Sequence, residues 1–344
     1  MAGEAARRDT LTLDDGRARV VVAPAAGAAL VRYDWRPHGT VGARVPLLRP
    51  GPDIPDPADP FALGCNLLLP WSNRISGGGF RFGGRFHRLV PNLPGEACPI
   101  HGDAFQRAWR VDSLDAKSVT LSLPAADGPG PLRYGARVLY RLDAGALEIA
   151  PELTSLAMTP LPYGLGVHPW FPRTPGTALQ LVAEEVRLED ARYLPAGRAR
   201  VESVPAWNFR HGAALPAGWI NNAFTGWCGV ASLEWPLSEL IARSGEVGGD
   251  RADAKSGQTV VPGAAETAAM TGGGRVRLTI RADELLSTCI VHSPGAESSF
   301  VCVEPVSHPV DAHNDRDVPL EGLRVLTPGE RLAARCRFEP SLRR

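Results

Sequence analysis

Turn-forming residues constrain this chain more than any other feature. Glycine (37) and proline (32) together supply about a fifth of its 344 residues. Proline removes a backbone donor and glycine lowers helix propensity, so their spread along the chain argues against a helix bundle. It favours many short strands joined by turns, an all-β sandwich or barrel. Between Pro50 and Pro60, proline recurs at 50, 52, 55, 57 and 60, which excludes both a helix and a central strand and marks a surface loop. Phe80 to His87 carries two alternating arms around Gly83-Gly84, the signature of a tight hairpin. Asp143-Ala-Gly145 joins the apolar runs 132–142 and 145–153 in the same way.

Further strands are expected at 10–13, 18–23, 28–33, 109–114, 118–123, 178–188, 228–234, 275–281, 286–292, 299–304 and 331–338. Residues 243–274, rich in Gly, Ala, Ser and Thr and without an aromatic, read as a flexible insertion on a loop tip. Lys plus Arg and Asp plus Glu are both 37, a neutral balance that argues against nucleic-acid or anionic-membrane binding. No run reaches the roughly 18 apolar residues of a membrane span. The residues after Met1 lack the apolar core of a secretory signal, so a cytoplasmic location is expected. The six cysteines are scattered without a CxxC pair, which fits free structural thiols and neither disulfides nor zinc.

Four segments carry chemistry-bearing residues. Pro70-Trp-Ser-Asn-Arg74 sets an Arg near a Trp, a combination that suits sugar hydroxyls and a pyranose face, although a core Trp with a solvated Arg has the same composition. Ile100-His-Gly102 places a His on a loop, where a turn or surface role is the commoner one. In Val167-His-Pro-Trp-Phe171 the strand is expected to stop at Pro169. His168 at its end is either an aromatic-shielded proton donor or a structural histidine. In Phe300-Val-Cys-Val-Glu304 the alternation puts Phe300, Cys302 and Glu304 on one face. A carboxylate there is costly unless partnered, so Glu304 is a candidate working carboxylate, or a salt-bridged Glu at a sheet edge. His308, Asp311, His313 and Asp315 are metal-ligand types, but they lack a helical His pair and Pro309 interrupts them. A solvated loop is favoured there over a metal site.

In their order along the chain these segments resemble the aldose 1-epimerase (galactose mutarotase) family. Asn73-Arg74-Ile75 before a Gly-rich hairpin, Ile100-His101-Gly102, His168-Pro169-Trp170 and Cys302-Val-Glu304-Pro305 are similar to its blocks. The resemblance covers most of the chain. It implies one domain over 1–344 and a large antiparallel β-supersandwich, and the insertion at 243–274 is not part of that family core. It also implies interconversion of the α and β anomers of a free aldose. By this resemblance Glu304 is the general base at the C1 hydroxyl and His168 the general acid at the ring oxygen. Asn73, Arg74, His101 and Asn221 bind the sugar. No cofactor and no metal are implied, and the partner is a small-molecule sugar, with no nucleic acid and no membrane. Unperturbed values of roughly 4.3 for Glu and 6.5 for His predict an ionised Glu304 and a partly protonated His168 at pH 7.

One departure stands at 221. The family often has Asp there, before a Phe, whereas this chain has Asn221, which keeps an acceptor oxygen without the charge. Two other activities compete with mutarotation. A hexose-6-phosphate 1-epimerase would call for clustered arginines at the cleft. A non-catalytic sugar-binding protein would bind without turnover.

Overall fold

The computed structural model describes residues 10–37, 44–126, 130–246 and 273–343. Two large sheets dominate them, one of eleven strands and one of ten, and every strand pairing within them is antiparallel. The β-sandwich expected from turn density is the fold. Its core draws on both sheets: Val20, Leu67 and Val303 of the larger meet Leu121, Leu147 and Leu278 of the smaller in one buried cluster. Amphipathic aromatics tie the layers together at their polar tips. The Tyr33 hydroxyl donates to Gly145 O (2.7 Å), Tyr140 to Ala28 O (2.7 Å) and the Trp235 indole to Pro172 O (2.8 Å).

The Gly79–Phe82 and Arg85–Arg88 arms close around Gly83-Gly84, both with positive φ, as the glycine pair predicts. Four expectations need correction. The run 331–338 is two strands, Arg331–Ala333 and Cys336–Arg343. The run 178–188 is two strands: Ala178–Leu181 belongs to the smaller sheet and Glu185–Glu189 to the larger. The chain changes layer at 182–184, where an uninterrupted apolar pattern hides the corner. The strand at His168 does not stop at Pro169 but runs from Gly166 to Pro172. Its neighbour Cys65–Leu68 ends opposite Pro169, so the missing donor breaks no ladder bond. Finally, residues 243–246 form the last turn of a helix, Leu237–Glu246. Leu237 and Leu240 bury on the core one turn apart, and Glu239 in its first turn accepts from the Gly176 N–H (2.9 Å). Residues 247–272 of the expected insertion lie outside the described residues. Among the described residues, no helix is long and apolar enough to cross a membrane.

Candidate active site

The larger sheet brings the two acid–base candidates together by register. Gly166 pairs with Val306 and Trp170 with Cys302, so His168 sits opposite Glu304 on the same face. His168 Nε2 lies 3.4 Å from Glu304 Oε1, and both side chains are buried. Trp170, two residues on and therefore on the same face, stacks on the imidazole at 3.9 Å and 10°. Burial pushes the Glu304 carboxyl well above the usual carboxylate range and the His168 imidazole well below its own. This reverses the protonation expected from unperturbed values. Burial favours the neutral pair, a carboxyl and an uncharged imidazole, over the ion pair. The two arrangements differ by one proton moved across 3.4 Å.

Asn73 and His101 form a second unit. Both have positive φ, and each serves the other: Asn73 N–H donates to His101 Nδ1 (3.0 Å) and His101 N–H donates to Asn73 O (3.0 Å). A ring whose Nδ1 accepts carries its proton on Nε2, and burial holds this imidazole neutral, pushed down to about 3. His101 therefore offers the site a fixed N–H. Asn92 pins the same loop through both atoms of its amide, accepting from Ile100 N–H and donating to Ile100 O. Gly102 is required by close approach: a Cβ there would lie 1.8 Å from Leu69 O. Gly102→Ala should displace the loop that aims His101. The expected result is a loss of about 2–4 kcal/mol in urea unfolding.

Arg74 is held bidentately by Glu96 (2.7 and 3.0 Å) and lies over the Tyr193 ring at 4.9 Å. On the far wall, Asn221 Nδ2 and the Trp219 indole N–H both donate to Glu189, each at 2.8 Å. An ionised carboxylate only accepts, so this bond fixes the Asn221 amide with Oδ1 as its remaining acceptor. The negative charge absent from position 221 thus stands one strand away, on Glu189 behind Asn221.

Asn73, Arg74, His101, His168, Asn221 and Glu304 all line one cavity of about 400 Å³. Sequence reading missed Arg49, Trp219 and His292 in its walls. His292 faces the cavity because it pairs with Asn221 across two strands, which no single segment reveals. Trp71 is buried in the core, the reading its composition also allowed, and Trp170 and Trp219 supply the indole surfaces.

The 307–315 run is not a solvated loop. His308 accepts from Ser72 N–H (3.1 Å), Asp311 from Ser76 N–H (2.9 Å), and both are buried. Its buried side chains brace the Ser72–Ser76 segment that carries Asn73 and Arg74. Among the described residues, the metal-ligand types that converge are His168, Cys302 and Glu304, with one ligand atom each within 4.8 Å of the others. All six cysteines are free, and four of them are buried.

Comparison with known proteins adds the family context. Residues 9–248 match the family model Aldose 1-epimerase. The uncharacterized protein YphB of Escherichia coli K12 is 35% identical over 191 residues, 56% of this chain and 64% of YphB. The match thus spans just under two thirds of that relative's length. A solved structure from Escherichia coli K12, described as a candidate aldose 1-epimerase, superposes with a TM-score of 0.77 at 25% identity, covering 97% of this chain and 99% of that one. A GalM/aldose epimerase homologue from C. elegans shares the fold with a TM-score of 0.70 at 16% identity, over 97% and 99% of the two chains.

Proposed function

The chain belongs to the aldose 1-epimerase family, and from that premise we propose that it interconverts the α and β anomers of a free aldose by acid–base ring opening and re-closure. The observation that carries this reading is the His168–Glu304 pair, 3.4 Å apart at the wall of a cavity large enough for a pyranose. Sugar hydroxyls entering the cavity donate to the Glu304 carboxylate, which favours its ionised form and leaves the shared proton on His168. Glu304 then takes the C1 hydroxyl proton while His168 protonates the ring oxygen. The bond between C1 and the ring oxygen breaks, with its electron pair going to that oxygen, and C1 becomes an aldehyde. The pair is now a neutral carboxyl and a neutral imidazole, the distribution that burial itself favours. The site is therefore matched to the ring-opened state. Rotation about the C1–C2 bond exposes the other face of the aldehyde, and the two proton transfers reverse to give the other anomer.

Binding follows from the remaining walls. His101 Nε2–H and Arg74 donate to hydroxyls, Asn221 Oδ1 accepts, and Trp170 packs a C–H face of the ring. Freshly dissolved α-glucose and α-galactose, followed by polarimetry, test the reading. The protein should accelerate mutarotation of at least one aldose far above the buffer rate. Buffer rates across a panel of aldoses, with the protein folded, would overturn it.

A further inference from the structure

Two arginines line the cavity, and they differ in one respect. Arg74 is neutralised by the bidentate Glu96. Arg49 forms no salt bridge among the described residues, and Asp59 acts on it only at longer range. One nitrogen of Arg49, Nη2, donates to the carbonyls of Phe61 and Leu63 (3.3 Å to the latter). Its guanidinium lies 5.3 Å from the Trp170 ring centre and 5.0 Å from that of Phe300. The group is therefore oriented before any ligand arrives, and Arg49 is among the residues that line the cavity.

The surrounding charges do not compensate it. The three histidines of the cavity, 101, 168 and 292, are all held toward their neutral forms by burial, and Glu304 is held toward its protonated form. Glu189 stands behind Asn221 and Trp219 on another wall, bonded to both. A half-buried cation without a counter-ion is costly, and the hydroxyls of a neutral sugar compensate it weakly. An oxyanion does so fully, and the planar guanidinium suits carboxylate and phosphate geometry. Position supports the same conclusion. Phe300, which flanks Arg49, lies four residues from Glu304 on the same strand face, roughly 13 Å along it. Arg49 and Glu304 therefore line the same cavity at different points along that strand.

We infer that the preferred substrate is an aldose carrying an oxyanion, a carboxylate or a phosphate ester, at the end away from C1, and that Arg49 binds this group. The inference rests on the mutarotase reading of the same cavity. It is tested on the native protein by measuring anomer exchange with glucose, glucuronate and glucose 6-phosphate by proton NMR. Calorimetry with the non-reacting methyl glucoside and methyl glucuronide runs in parallel. At least one anionic sugar should exceed glucose in kcat/KM by about 10- to 100-fold, and the two anions identify which oxyanion fits. Arg49→Met should collapse that ratio toward one, and Arg49→Lys should restore part of it. The methyl glucuronide series keeps binding readable if turnover fails. Anion-selective binding without exchange would uphold the Arg49 assignment and overturn the mutarotase reading. Exchange of glucose as fast as of both anions would overturn the Arg49 assignment alone. Should the Met variant not fold, the substrate comparison on the native protein decides.

Discussion

Glu304→Gln is expected to lower kcat by about 10²- to 10⁴-fold while leaving KM within a few-fold of its original value. The amide fills the same volume and still offers an oxygen to a sugar hydroxyl, so binding has little to lose. What disappears is the second seat for the shared proton. His168 Nε2, 3.4 Å away, then has no partner with which to exchange it, and ring opening must draw on solvent. His168→Asn should act on kcat in the same way. Because the two groups work as one unit, the double variant should be about as slow as the slower single variant rather than the product of both losses. A multiplicative loss, or a Gln variant within about tenfold of the native kcat, would remove Glu304 from the proposed role. The pH profile gives an independent reading. With the imidazole pushed down and the carboxyl pushed up, the acid limb of kcat/KM belongs below the ordinary histidine value of 6.5. The alkaline limb belongs above the ordinary carboxylate value of 4.5.

Why some of the site is legible in sequence and some is not follows from how each residue reaches the cavity. Glu304 stands out because strand alternation alone places a carboxylate beside Phe300 and Cys302, where an unpartnered charge is costly. His168 shares its strand with Trp170, and the stacked pair follows from a spacing of two. Their juxtaposition, by contrast, depends on the register between two strands whose facing residues, His168 and Glu304, are 136 positions apart, and only the resemblance anticipated it. Asn221 looked like a loss of charge when read along its own strand. Glu189 restores that charge from the neighbouring strand, a compensation that no linear reading can see. The 307–315 run misled for the opposite reason: polar composition says nothing about depth. Loop residues with backbone partners bury as completely as strand residues do. The corner at 182–184 and the helix after Pro236 escaped because apolar spacing was continuous across a change of layer and a change of period.

The same buried loop histidines predict a strong loss of stability in mild acid. His101, His308 and His313 are held neutral by burial, pushed down to about 3, about 4 and about 3 respectively. In the unfolded chain each would titrate near 6.5. A histidine whose folded value is depressed contributes stability that is full above its unfolded value and is lost as pH falls through the window toward its folded value. Each proton that the unfolded chain accepts and the folded chain refuses costs about 1.4 kcal/mol per pH unit, so three together approach about 4 kcal/mol per unit between pH 6 and 4. Asp34, Asp103, Glu189 and Glu321, raised by burial, oppose this slope in part, because the folded protein takes up their protons first. Against a typical total of about 5–15 kcal/mol, the remainder is a large fraction of the stability. Urea midpoints at pH 7, 6, 5 and 4.5 measure the slope directly. His308→Gln keeps an acceptor for Ser72 N–H and a donor for Pro309 O, so its slope should fall by about one proton per molecule. A urea midpoint that stays constant from pH 7 to 5 would mean that these rings take up protons in the folded state. The bracing of the Ser72–Ser76 segment by a neutral His308 would then be wrong.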